Sequence, residues 1–138
     1  EKSIFKGEVE AQSIDTRNKK RDNHLRNPDF FNVTQTPIIS LSSTRISPVK
    51  DPITNHPTHY EVTADLTLLT TTRSITFPLY VSGPITDPYG NKRVGFEGKF
   101  TINREDFGLN WNKNMDQGLV LGKKVEVELL FEAINTKK

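Results

Sequence analysis

Polar and apolar positions alternate along most of the chain. Phe5, Gly7, Val9, Ala11 and Ser13 are interleaved with Lys6, Glu8, Glu10 and Gln12, the period of two that a strand shows when one of its faces meets water. Alternating or β-branched runs recur over 38–47, 59–69 and 74–81. They return over 93–104, with Phe96, Gly98, Phe100 and Ile102 on one face, and over 123–133, where Val125, Val127, Leu129, Phe131 and Ala133 oppose Glu126, Glu128 and Glu132. This pattern predicts six strands.

The stretches between them carry turn chemistry. Pro48 and Pro52 would interrupt a ladder, Thr70-Thr71-Thr72 suits a hairpin turn, and Asp87-Pro88-Tyr89-Gly90-Asn91 places Pro and Gly where a tight reversal needs them. The exception to the strand pattern is the charged segment 13–31, SIDTRNKKRDNHLRNPDFF. In it Thr16 or Asn18 can cap a short helix running through Arg26, and Asn27-Pro28 offers a second start, with Asn at the N-cap and Pro at the first helical position. Phe30 and Phe31 then anchor the insert to the body. Six strands, no βαβ repetition and one short helical insert near residues 18–31 describe a single all-β domain over 1–138, an antiparallel barrel or sandwich. Six strands are narrow for a barrel that holds a ligand, which takes about eight. Further strands therefore belong to the fold, either hidden in this pattern or in a part of the protein outside this sequence.

Composition narrows the function classes. In 138 residues there are 19 basic and 17 acidic side chains, for a net charge of +2, so no excess predicts binding to a nucleic-acid backbone. No run of 18 apolar residues is present, so no membrane-spanning helix is expected. The absence of Cys removes disulfides, thiol catalysis and Cys-based zinc sites. The first residue is Glu1 rather than Met, which fits a processed product or a fragment.

The segment 13–31 resembles the Ser-Ile-Asp-Thr…Arg-Asp-x-His-Leu-Arg signature of the YceI-like family, through Arg21-Asp22-x-His24-Leu25-Arg26. ADLTLLTTTRSITFPL, DPYGNKRVGFEGKFTINREDFGLNW and VEVELLFEA are similar to that family in the same order. The resemblance implies a lipocalin-like antiparallel barrel holding a long-chain isoprenoid or fatty-acyl lipid, in bacterial and often exported proteins, hence a periplasmic or secreted location. It also implies some thirty to forty further N-terminal residues that supply the family's first strands.

On that frame a lipid would lie along the face formed by Val62, Ala64 and Leu66, by Phe77 and Leu79, by Phe96, Phe100 and Ile102, and by Val127, Leu129 and Phe131, with Phe30 and Phe31 closing one end. A ligand tunnel and a packed core use the same residue types, so both readings stand. At about 0.8 kcal/mol per buried methylene, some ten of them already support micromolar binding. Arg21, Asp22 and Arg26 read as ion pairs or caps that clamp the insert across a barrel end. The other reading puts them at the mouth, where Arg21, His24 and Arg26 meet a polar lipid head, with Asn103 or Trp111 bordering the cavity.

Catalysis is not expected. Asp22 and His24 point about 200° apart on a helix and cannot pair, and no Ser or Thr sits in a nucleophile elbow. His56 and His59 read as loop histidines rather than metal ligands, and no cofactor is called for. In 103–109 the charges read as a turn with an ion pair and an aromatic plug. Asn32-Val33-Thr34 is a formal sequon with no consequence in a bacterial protein. The competing class is a structural protein, its barrel filled by its own side chains, that forms a homodimer through exposed strand edges.

Overall fold

The computed structural model describes residues 3–112, 114–115, 118–119 and 121–135. In chain order these form β1 (Lys6–Glu10), α1 (Lys19–Arg26), β2 (Ile38–Lys50), β3 (Pro57–Leu68), β4 (Thr71–Thr86), β5 (Lys92–Asn103), the short strands β6 (Asn114–Met115) and β7 (Gly118–Leu119), and β8 (Lys124–Asn135). Single 3₁₀ turns cover Ala11–Ser13 and Arg104–Phe107. None of the described helices is long and apolar enough to cross a membrane.

The six long strands make one antiparallel sheet in the order β1-β2-β3-β4-β5-β8. Alternation settles which face turns inward: along β3, Val62, Ala64, Leu66 and Leu68 are buried while the residues between them are not. Phe77 and Leu79 of β4 and Phe100 and Ile102 of β5 join the same core. The edge strands β1 and β8 both contribute to the wall of one cavity, so the sheet is curled into a half-barrel, the antiparallel barrel architecture expected from the sequence.

Gly98 sets how closely two of these strands pack. It lies opposite Leu79 on one side and Leu129 on the other, and a Cβ there would stand 3.1 Å from the Phe77 ring. The missing side chain lets that ring, 2% exposed, lie against the strand. A second glycine, Gly83, carries φ 97 at an irregularity between β4 and β5, where a Cβ would come within 2.9 Å of the Arg93 carbonyl.

Several boundaries differ from the sequence pattern for identifiable reasons. The first strand stops at Glu10 because the chain enters the 3₁₀ turn Ala11–Ser13, in which Ala11 is buried and its carbonyl accepts from the Ile14 N–H. Pro48 does not end β2. It pairs opposite Tyr60 beyond the part of β2 that β1 covers, where a missing N–H on the outer side breaks no ladder. The β3–β4 reversal uses Leu69 and Thr70, the first Thr of the triplet, while Thr71 and Thr72 already belong to β4, with Leu69 at φ 53 and its side chain packed on the core.

The insert begins as expected and ends differently. Asn18 caps α1, its side chain accepting from the Arg21 N–H at 3.1 Å, and Asp22 near the start with His24 and Arg26 near the end suit the helix dipole. No second helix starts at Asn27. The chain reverses at once, with Phe31 N–H donating to the Leu25 carbonyl and Val33 N–H to that of Arg26, while the Asn27 side chain accepts from Asp29 N–H at 2.8 Å. This reversal turns Phe30, 7% exposed, into the core.

Candidate functional site

A cavity of about 620 Å³ lies on the concave side of the sheet, toward its two edges. Phe5 and Val9 line it from one edge, Val127, Leu129 and Phe131 from the other. Leu41, Leu66, Leu68, Phe100 and Ile102 form its back wall, and Phe31 reaches in from the insert. At the seam between the edges Phe5 stacks on Phe131 at 4.8 Å, and Phe131 stacks in turn on Phe96 at 4.7 Å. The wall is mainly hydrocarbon, so an apolar tail would trade water for contacts all along it.

The candidate lining residues divide into groups. Phe31, Leu66, Phe100, Ile102, Leu129 and Phe131 border the cavity. Val62, Phe77 and Leu79 do not: they belong to the packed core along β3 and β4, Val62 beyond the level that β1 reaches, and Val62 is wholly buried. Phe96 lies behind Phe131 rather than on the wall. Phe30 and Trp111 face a second hollow, of about 430 Å³, shared with Asn18, Lys20, Arg21, His24, Leu25 and Leu121.

His24 stands in this second hollow with its ring edge-on to Phe30 at 5.1 Å and to Trp111 at 4.7 Å. Its Nε2 lies 2.8 Å from Asp29 Oδ2, a partner that spacing along the helix did not reveal because it comes from the turn beyond. Arg21 is on the same wall but is also committed to Thr16, donating to its hydroxyl at 2.8 Å and to its carbonyl at 3.0 Å. Arg26 is spent on backbone, donating to the carbonyls of Gln12 and Ile14. Asn103 caps the 3₁₀ turn, its side chain accepting from Glu105 N–H at 3.0 Å. Neither Arg26 nor Asn103 borders either hollow.

The insert is therefore held by side chains that grip backbone rather than by ion pairs among Arg21, Asp22 and Arg26. Asp22, 6% exposed, accepts from both the N–H and the hydroxyl of Thr16. The Thr16 hydroxyl holds the Asp22 carboxyl below its ordinary range against the opposing effect of burial, with the Thr16 N–H, Arg26 and Arg21 adding to it.

One residue passed over by sequence reasoning stands out. Arg104 is 5% exposed and borders the 620 Å³ cavity. It makes no ion pair within 103–109; Glu105 pairs instead with Lys123 at 3.3 Å. The Arg104 guanidinium donates from Nε to the Gly122 carbonyl at 2.8 Å and from Nη1 to those of Leu109 and Trp111. Its Nη2 has no partner among the described residues. The aromatic part of the expected plug is Phe107, 2% exposed, on the same turn.

Among the described residues no three His, Asp or Glu gather into a metal-binding set. His59 lies against Tyr80 at 5.2 Å, and His56 is exposed in the connection from β2 to β3.

Known proteins are similar to this chain in sequence and in fold. A UPF0312 protein of Pseudomonas aeruginosa is 34% identical over 126 residues, covering 91% of this chain and 60% of the relative. A UPF0312 protein of Staphylococcus epidermidis is 35% identical over 122 residues, 87% of this chain and 65% of its own length. The chain thus spans about 60% of the length of the Pseudomonas relative. The crystal structure of the Campylobacter jejuni YceI protein superposes with a TM-score of 0.82 at 20% identity, covering 98% of this chain and 74% of the other. That of Burkholderia cenocepacia BcnA gives 0.75 at 19% identity, over 93% and 72%. The family model described as the YceI-like domain matches residues 1–133, and the chain belongs to the YceI-like family.

Proposed function

We propose that the protein binds a long-chain isoprenoid or fatty-acyl lipid and shields its tail from water. The observation that carries this reading is the apolar cavity of about 620 Å³ on the concave face, within the size range of small-molecule sites. Burial of the tail supplies affinity in proportion to its length. Lys6, Glu8, Ser40 and Glu128 alternate with Gly7, Val9, Leu41 and Val127 along their strands and turn their side chains to the outer face, so the strand side chains that meet the cavity are apolar. Arg21 and His24, beside Trp111 in the second hollow, are the proposed polar contacts for its head group. In this reading the protein acts in the periplasm or as a secreted carrier, which cell fractionation checks.

The test is native mass spectrometry of the purified chain, followed by organic extraction and lipid mass analysis. A bound species of several hundred daltons that extracts as an isoprenoid or acyl lipid is expected. A bare chain that also takes up no added lipid would sink the reading. Leu129→Trp, which places an indole in the cavity, should weaken lipid binding at least tenfold while the melting temperature stays near that of the parent.

A second reading draws on the edges of the sheet. In the described sheet β1 and β8 each pair on one side only, and such edges can add a strand from another chain. A lipid-free dimer in the same mass spectrum would favour it.

A further inference from the structure

We propose that the start of the helical insert is a docking site for an anionic lipid bilayer, whose phosphates meet Arg17, Lys19, Lys20 and Arg21 while Trp111 reaches its interface. This goes beyond the lipid-binding reading and stands without it. Four of the five residues in 17–21 are cations, and all four are exposed. The net charge of the whole chain is only +2, so the remainder of the chain is net negative. A molecule with so uneven a charge turns its cationic end toward an anionic surface before the two touch.

The backbone that carries these cations is fixed from within. Asn18 caps α1 by accepting from the Arg21 N–H, and the Arg21 guanidinium is braced on the Thr16 hydroxyl and carbonyl. The carboxylates of the insert are turned to local partners: Asp15 accepts from the Arg17 N–H, Asp22 is buried against Thr16, and Asp29 pairs with His24. What selects a bilayer among anionic partners is the apolar surface beside the charge. Lys20 and Arg21 share the hollow of about 430 Å³ with Leu25, Phe30, Trp111 and Leu121. A phospholipid surface offers phosphates to the cations and hydrocarbon to the hollow, whereas an acidic polypeptide offers chiefly charge. Tryptophan suits that boundary, with a broad apolar ring and one N–H donor. Each basic side chain close to an anionic membrane strengthens binding about fivefold, so four together give on the order of several hundredfold.

The experiment is cosedimentation with vesicles of phosphatidylcholine, with and without about one third phosphatidylglycerol. The chain should partition at least tenfold more strongly onto the anionic vesicles and be released by about 0.5 M salt. Arg17→Gln, Lys19→Gln and Lys20→Gln together should lower that partition at least tenfold, with a melting temperature near that of the parent. A control of equal charge, Lys50→Gln with Lys92→Gln and Lys124→Gln, should lower it less than about threefold. The parent chain gives a readout that does not depend on a variant folding: Trp111 is the only tryptophan, and its emission should be quenched by brominated acyl chains in the anionic vesicles. Equal partition onto the two kinds of vesicle, equal losses in the two triple variants, or a bound chain whose Trp111 is not quenched would overturn the proposal. So would a chain that ignores the vesicles but binds polyglutamate through the same cations, which would give this face to an acidic protein. A chain that sediments with vesicles but takes up no lipid supports docking and counts against the lipid reading; one that takes up lipid without docking does the reverse.

Discussion

Asp87 heads the turn between β4 and β5 and gathers four donors: the N–H groups of Tyr89 and Asn91, the Asn91 amide and the Arg93 guanidinium at 2.8 Å. Burial opposes its ionisation, but the Asn91 N–H, Arg93 and the remaining donors prevail and bring its pKa from 3.8 to about 2. A depressed carboxylate adds stability above its unfolded pKa and loses it as the folded group is protonated. The melting temperature should therefore fall as pH is lowered from about 4 to about 2, and Asp87→Asn should flatten part of that slope in a thermal scan against pH. Part of it would persist, because Asp51 is shifted in the same direction by the N–H groups of Thr54 and Ile53. A second residue-scale prediction concerns the insert. Arg21 and Arg26 hold backbone carbonyls, so changing both to Gln should lower stability by about 1–3 kcal/mol in urea unfolding. An unchanged midpoint would show that their grip contributes nothing. The turn at Asp87 and the cap at Asn18 were legible in sequence because a local side chain determines each. Arg104 was not legible, since its acceptors come from segments that fold back around it and its carboxylate neighbours in sequence turn elsewhere.

At the scale of elements, β5 shows what alternation reveals and what it omits. The inward set Phe96, Gly98, Phe100 and Ile102 could be read from period two alone, but alternation does not say what Gly98 is for. Its value lies in the Phe77 ring that rests against it from β4. Gly98→Ala should cost about 1–3 kcal/mol, the usual penalty for overfilling a packed site, measurable as a shift of the urea midpoint at unchanged slope. A neutral result would mean that the ring has room to retreat. On the outer side β5 is tied to β8 by Lys99 with Glu126 at 2.8 Å and by Arg93 with Glu132, exposed pairs that solvent screens and that add little to stability. Boundary errors in the sequence pattern share one cause: Pro48, Leu69 and Asn27 carry local signals whose effect depends on which neighbour lies alongside. Pro48 is tolerated because one side of β2 is open at that point, a fact about β1 rather than about Pro48.

For the molecule as a whole, the number and direction of the long strands were written in the hydrophobic pattern, but the location of empty space was not. Leu66, Phe100 and Ile102 line the cavity while Val62, Phe77 and Leu79 fill the core, although all six occupy the same face with the same chemistry. Position along the strand counts as well as distance from the sheet edges, since Leu66 is level with β1 while Val62, on the same strand, lies beyond it, and that emerges only when the sheet curls. The strand order has a kinetic counterpart. β2, β3, β4 and β5 follow one another through short turns and pair in sequence, so their contacts close small loops and form early. β1 and β8 are separated from their partners by the segments 11–37 and 104–123 and must close larger ones. These late strands are the ones that complete the cavity wall. A bound lipid should consequently leave the refolding rate almost unaltered and slow unfolding, so that in stopped-flow experiments its stabilisation is seen almost entirely as a longer lifetime of the native state.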